Sequence, residues 1–315
     1  MKLLRITLAS ILGLLAIAFA TGYILYVKNN TEVLTLDDAA RKNVSGSFVK
    51  LTEGITHYEL AGPDTGKFVV LVHGFSVPYY IWDSTFLRLA HEGYHVLRYD
   101  EFGRGFSDRP EKVYDTMFLR RQLEELLTKL NVSSVHAIAG LSFGGPVVTD
   151  FVVHHPAQVD KVIFIDPVYP VESADAGGTQ YPESFMNFMM ALSPEDMVAG
   201  QLTDLKYPER FPQWGDQYKV QMQYKGLRQA LISTRLHYAT PEQIRDSYEK
   251  LDLLGKPVLL IWGREDNTTP FSSSDELRKV LHTDFVPIED AMHLPHMEKA
   301  SEVNPIILEF LKANP

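Results

Sequence analysis

The segment Gly140-Leu141-Ser142-Phe143-Gly144-Gly145 places a serine among small residues, directly after the apolar run 135–139 and before the helical pattern 146–154. A serine on a sharp strand-to-helix turn is a nucleophile for acyl transfer. Such a turn presses the flanking positions against the neighbouring strand and helix, so they must lack bulk. Gly140, Gly144 and Gly145 supply that room. A serine hydroxyl is a poor nucleophile at neutral pH, so the chemistry requires a base to take its proton and an acid to orient the base. Both follow in the chain. Gly263-Arg264-Glu265-Asp266 closes the run 258–262 and makes Asp266 the candidate acid, with Glu265 as a local rival and Asp166, at the end of an earlier run, as a distant one. His293 lies in the first turn after the run 284–288 and is the candidate base, which leaves His296 a structural or helper part. The developing oxyanion needs preorganised donors. These are expected to be the amide of Phe143, directly after the nucleophile, and that of Phe75 in the loop His73-Gly74-Phe75-Ser76. His73 reads as a brace for that loop rather than as a second base.

Such residues need a sheet whose strand ends converge. Short β-branched runs at 68–72, 95–99, 135–139, 161–165, 258–262 and 284–288 are mostly near-continuous in apolar residues, the pattern of parallel strands covered on both faces. Helical stretches lie between several of them, such as 118–130 with Leu119, Leu123, Leu126, Leu127 and Leu130 on one face. The earlier segments 48–51 and 55–60 alternate and end near glycine, as an opening antiparallel hairpin does. From 168 to 245 the rhythm stops, and prolines, aromatics and methionines dominate. The expected architecture is therefore α/β, a mostly parallel sheet flanked by helices, with a core at 47–167 and 246–315 and a helical cap at 168–245 inserted after the sixth main strand.

Composition narrows the partners. The chain has 315 residues, 30 Lys+Arg against 40 Asp+Glu and a formal net charge of −10, which argues against a nucleic-acid binder. The absence of cysteine excludes disulfides, thiolate nucleophiles and cysteine metal sites. His154 and His155 are consecutive and point in different directions on a helix, and no phosphate-cradling loop is evident, so no metal and no cofactor is implied. An almost unbroken apolar run spans 6–27, preceded by Lys2 and Arg5. As a helix it would reach roughly 33 Å, about one hydrocarbon core. Residues 1–30 are expected to be a transmembrane anchor with the N-terminus inside and the catalytic domain outside the cytoplasm, followed by a polar linker at 31–46. Ala18-Phe19-Ala20 also has the form of a signal-peptidase site, and cleavage there would release a secreted or periplasmic protein.

With these motifs in order, the chain resembles the α/β-hydrolase superfamily, in the branch with a helical cap. The resemblance rests on His73-Gly74-Phe75, Asp100-x-x-Gly103-Arg104-Gly105-x-Ser107, Gly140-x-Ser142-x-Gly144-Gly145, and Trp262-Gly263-Arg264-x-Asp266 followed by His293-x-x-x-x-Glu298. It implies an eight-stranded sheet and a Ser142-His293-Asp266 triad acting on a small-molecule substrate through an acyl-enzyme. Met292 departs from the family, which usually has glycine before the histidine. Ser142 disfavours the members that open epoxides or remove halide, because those use an aspartate nucleophile. Hydrolases of carbon–carbon bonds or enol lactones remain alternatives, as does a non-catalytic binding member. Substrate clues must come from the cap, where Phe185, Met189 and Trp214 are expected to line an apolar site for an acyl chain; the same residues could instead pack the cap's own helices. With a membrane tether, this resembles membrane-anchored monoacylglycerol lipases.

Overall fold

The computed structural model describes residues 2–170 and 181–313; residues 171–180 of the expected cap, and the side chains of Lys2 and Arg5, lie outside the described residues. Eight strands form one sheet: β1 (Ser47–Lys50), β2 (Ile55–Ala61), β3 (Phe68–Val72), β4 (His95–Tyr99), β5 (Val135–Leu141), β6 (Val159–Ile165), β7 (Val258–Gly263) and β8 (Asp284–Ile288). Their order is β1-β2-β4-β3-β5-β6-β7-β8. β1 pairs antiparallel with β2, β2 antiparallel with β4, and every later pairing is parallel. The chain begins with α1 (Lys2–Asn29) and α2 (Asp38–Arg41), and α3 (Asp83–His91), α4 (Thr116–Lys129) and α5 (Gly144–His154) connect strands of the core. Between β6 and β7 stand α6 (Glu183–Leu192), α7 (Pro194–Leu202), α8 (Trp214–Met222), α9 (Leu227–His237) and α10 (Pro241–Asp252). The chain ends with α11 (Ser272–Leu277), α12 (Pro295–Glu298) and α13 (Ala300–Lys312).

The near-continuous apolar runs become strands because both of their faces are covered. Every residue of β5 is buried. In β3, Val70 and Val72 join the core layer on one side of the sheet and Val69 and Leu71 the layer on the other, the period-2 alternation of a pleated strand. α4 starts two residues before the leucine stripe begins to read as helix, because Asp115 caps it by accepting from the Phe118 amide at 2.7 Å. The expected boundary between cap and core at 245/246 falls inside α10. That helix buries Ile244 and Tyr248 in the same core layer as Val147 and Val148 of α5, so it belongs to the core.

The stretch 31–46 is a docked strap rather than an extended linker. Leu34 bridges Tyr224 in parallel fashion, and the Lys225 amide donates to the Leu34 carbonyl at 2.9 Å. Buried Glu32 accepts from the amides of Gly226 at 2.9 Å and Arg228 at 2.7 Å, and Arg41 donates to Asp108 at 2.5 Å. α1 is long and apolar enough over residues 6–29 to cross a membrane, with mean hydropathy 2.2 and none of its most apolar window buried. Its C-terminal end rests on α6, where Tyr26 stacks on Phe188 with ring centroids 6.1 Å apart and the Asn29 side-chain Nδ2 donates to the Leu192 carbonyl at 2.9 Å.

Candidate active site

Ser142 stands at the turn from β5 into α5 with φ +52°, a left-handed conformation that a non-glycine residue adopts only under local constraint. The constraint is steric crowding from both sides. A methyl group at Gly144 would lie 2.5 Å from the His73 carbonyl oxygen, and one at Gly140 would lie 2.6 Å from that of Gly144. Only bare backbone permits this approach. Gly74 closes the site from the other side, since a methyl there would lie 3.7 Å from Ser142 Oγ.

The two candidate oxyanion amides are aimed by what holds the opposite ends of their peptides. His73 Nε2 accepts from the Glu101 amide at 2.9 Å, so Nδ1 carries the proton and donates to the Gly74 carbonyl at 2.8 Å. Because the peptide is trans, fixing that carbonyl turns the Phe75 N–H the other way. The Ser142 carbonyl likewise accepts from the amides of Gly145 at 2.9 Å and Val168 at 3.0 Å, which orients the Phe143 N–H. Among the described residues neither amide has an acceptor. Burial drags the His73 imidazole down to about 4, so it stays neutral and acts as the brace its position implies. Arg104 completes the support by donating from Nε to the Phe75 carbonyl at 2.8 Å and from its guanidinium to the Thr234 hydroxyl at 2.9 Å on α9.

His293 and Asp266 meet behind this turn. His293 Nδ1 lies 2.8 Å from Asp266 Oδ2, and both side chains are buried. Asp266 Oδ1 accepts from the amides of Thr268 at 2.7 Å and Thr269 at 3.0 Å, while the Thr269 hydroxyl donates to Oδ2 at 2.7 Å. Burial pushes the Asp266 carboxyl up, but the His293 partnership and these donors outweigh it and hold the group below its ordinary value. Burial likewise lowers His293, and the Asp266 charge overrides it and raises the imidazole above 6.5. Ser142, His293, Phe75 and Phe143 line one cavity of about 160 Å³, together with Val77, Ile81, Leu294, Gln201 and Asp204. Ser142 Oγ is not yet hydrogen-bonded to the imidazole; that contact commonly closes only when substrate binds.

The rivals separate from these residues. Glu265 pairs with Lys206 at 2.6 Å on the surface. His296 is buried, with Nε2 3.0 Å from the Ile81 carbonyl, and burial drags it down to about 3. Asp166 is buried beside Asp266, and one ligand atom from each of Asp166, Asp266 and His293 falls within 4.8 Å of the others. Both oxygens of Asp266 already accept hydrogen bonds within this cluster.

The three expected substrate contacts are not brought to the nucleophile. Phe185 and Met189 are exposed on α6, while Trp214 is buried edge-on against Tyr80 and lines a separate cavity of about 340 Å³. That cavity touches the first only through their common wall, Ile81. Helical spacing cannot distinguish a side chain that faces a site from one that packs a helix or faces out. In their place the segment between β6 and β7 contributes Gln201 of α7 and Asp204 just beyond it, polar residues that the apolar pattern does not mark. Glu298, the last residue of the histidine motif, ties the histidine loop to the cap. It accepts from the Met292 amide at 2.9 Å and from the Lys206 amide at 2.6 Å.

A family described as the alpha/beta hydrolase fold matches residues 67–300, and the chain belongs to it. Among curated proteins it is similar to the AB hydrolase superfamily protein YisY of Bacillus subtilis (strain 168), 23% identical over 275 residues that cover 84% of this chain and 98% of the relative. Among solved structures, the enol-lactonase of Burkholderia xenovorans LB400 superposes with a TM-score of 0.72 at 19% identity, covering 85% of this chain and all (100%) of that one. A bacterial membrane phospholipase A superposes with a TM-score of 0.67 at 22% identity over 99% of this chain and 98% of its own.

Proposed function

We propose that this protein is a serine hydrolase of carboxylic esters with apolar acyl groups, working on monoacylglycerol-like substrates. The observation that carries the reading is the convergence of strained Ser142, the His293–Asp266 pair at 2.8 Å and two amides without an acceptor among the described residues on one cavity. Ser142 gives its proton to His293 and attacks the ester carbonyl; the Phe75 and Phe143 amides hold the oxyanion, and Asp266 steadies the imidazolium. His293 then protonates the leaving alcohol and activates the water that frees the acyl group from Ser142.

Two features support a lipid-derived alcohol. The cavity lining includes apolar Val77, Ile81 and Leu294, which suit an acyl chain, together with Gln201 and Asp204, which suit the free hydroxyls of glycerol. Besides His293, Asp204 is the one ionisable side chain on that wall among the described residues, and a carboxyl group accepts a hydroxyl more readily than a phosphate. α1 is then a membrane anchor that holds the catalytic domain outside the cytoplasm. The fold likeness that reaches 99% of the chain is to a membrane phospholipase A, and so takes in this helix. The likeness to an enol-lactonase supports a second reading, since the same triad opens a cyclic ester.

The test is a hydrolysis profile of the full chain in detergent, with acyl esters from acetyl to palmitoyl, monoacylglycerols and an enol lactone, and Ser142→Ala as the blank. Preference for medium or long chains and for monoacylglycerols is the expected result. Preference for acetyl esters or the lactone overturns the lipid assignment, and undiminished turnover by Ser142→Ala overturns the triad.

A further inference from the structure

Asp166 directly follows β6 and Asp266 lies three residues beyond β7, adjacent parallel strands in register at Ile165 and Ile261, so the topology sets two carboxyl groups near each other under the candidate base. Asp166 is fully buried at φ +43°, a second strained non-glycine position at this end of the sheet. Its Oδ1 accepts from the Gly263 amide at 2.8 Å, but its Oδ2 is buried and has no partner among the described residues. The groups that face it are Asp266, in hydrogen-bonding reach, then Glu298 of α12 and His293, whose Nδ1 is already spent on Asp266; Asp204 of the cap stands beyond them. Two carboxylates cannot both ionise in such a place, and a charged oxygen buried without a donor is costly.

We infer that Asp166 is a neutral carboxylic acid that donates a hydrogen bond from Oδ2 to the Asp266 carboxylate and so positions the acid of the triad. A proton on Oδ2 turns the orphaned oxygen of Asp166 into a donor, and the anion within hydrogen-bonding reach is Asp266. The Thr269 hydroxyl, 2.7 Å from Asp266 Oδ2, keeps an alternative acceptor in the Asp166 carbonyl at 3.1 Å. Burial and the Asp266 charge both push the Asp166 carboxyl well above its ordinary range, in agreement with this proton. The chain that results runs from Asp166 through Asp266 to His293, with the negative charge confined to its middle member. Asp166 touches no substrate; it is a positioning residue. The inference rests on the triad reading for its catalytic half, but the protonation itself does not.

The experiment compares wild type with Asp166→Asn and Asp166→Leu in the full chain. Asparagine reproduces both bonds, since its oxygen can accept from Gly263 and its amide can donate to Asp266. A group whose folded value is raised contributes stability that is lost as pH climbs from its unfolded to its folded value. Across that range the melting temperature of Asp166→Asn should therefore gain on wild type by about 2 °C per pH unit as pH rises above the ordinary carboxylate value. A flat or falling difference overturns the protonation, whether or not the protein cleaves any ester. For the positioning, Asp166→Asn should keep kcat/KM within about threefold with its acid limb unmoved. Asp166→Leu should lose about tenfold or more, one hydrogen bond to a charged group. An acid limb shifted to lower pH in Asp166→Asn, or a wild-type rate in Asp166→Leu, overturns it. Fluorophosphonate labelling of Ser142 gives the same pH profile if every ester fails, so failure of the substrate reading is told apart from failure of this one.

Discussion

Replacing Asp266 with asparagine should remove the base's competence without removing any atom of the site's frame. Asp266 Oδ1 accepts two backbone amides, Thr268 at 2.7 Å and Thr269 at 3.0 Å, so the carbonyl oxygen of an asparagine must occupy that position. Its amide group is then forced into the place of Oδ2, 2.8 Å from His293 Nδ1. Two donors cannot face each other there, so Nδ1 gives up its proton and becomes the acceptor, and Nε2 takes the hydrogen. An imidazole in that tautomer cannot accept the proton of Ser142. The expected loss in kcat is about ten-thousandfold, the size found when a triad aspartate is neutralised elsewhere. That corresponds to about 5.5 kcal/mol of transition-state stabilisation.

The pH profile carries an independent signature. Asp266 lifts the His293 imidazole above 6.5 against the pull of burial, and the base works only when neutral. The wild-type kcat/KM should therefore fall as pH drops through a limb above 6.5, and in Asp266→Asn the limb should move to lower pH because burial is then opposed only by the Asp204 charge. The assay is initial-rate hydrolysis of a chromogenic ester from pH 5 to 9, with matched thermal melts to show that the variant is folded. A loss of less than about tenfold with an unmoved limb would refute the assignment of Asp266 as the orienting acid.

Two further outcomes follow from backbone strain and from the strap. Ser142→Gly should abolish hydrolysis and yet raise stability by about 1 kcal/mol, because glycine adopts φ +52° without the steric cost that serine bears; a lower urea midpoint than wild type would show that the turn is not strained. Glu32→Ala should cost about 3 kcal/mol, since it strips the acceptor from the amides of Gly226 and Arg228 and leaves Arg228, 3.6 Å away, buried without its counter-ion. Urea unfolding measures that loss, and limited proteolysis at 31–46 should become faster; an unchanged midpoint would mean that the strap is only loosely laid on the cap.

The core was legible because its information is local. A strand covered on both faces must be apolar throughout, so the run ending at Ala139 reads as β5 without any knowledge of its neighbours, and the glycines around Ser142 mark a turn that crowding alone explains. The cap was less legible because the same composition serves opposite ends. Met189 and Trp214 sit at ordinary helical spacings, yet one faces outward and the other is buried against Tyr80, and that difference is fixed by which helices pack on which. Polarity misleads in the same way at 31–46. Glu32 and Arg41 look like residues of a solvated tether, but each is buried against a charged partner about 70 to 200 positions away, half-buried Asp108 or buried Arg228, that no local pattern announces.

Asp166 shows why such distant pairing matters more for function than the apolar pattern does. In the sequence it competes with Asp266, because each ends a core strand and either could orient a histidine. The fold turns the competition into a division of labour. Asp266 has four donors and the imidazole among them, whereas Asp166 has one amide and an orphaned oxygen, so the negative charge is stable on the first and costly on the second. A carboxyl group excluded from ionising can serve the site only as a donor, and the acceptor within its reach is the residue it appeared to rival. The strain at Asp166, φ +43°, is then the counterpart of the strain at Ser142: one turn presents the candidate nucleophile to the cavity, the other steadies the far end of the proton chain that activates it.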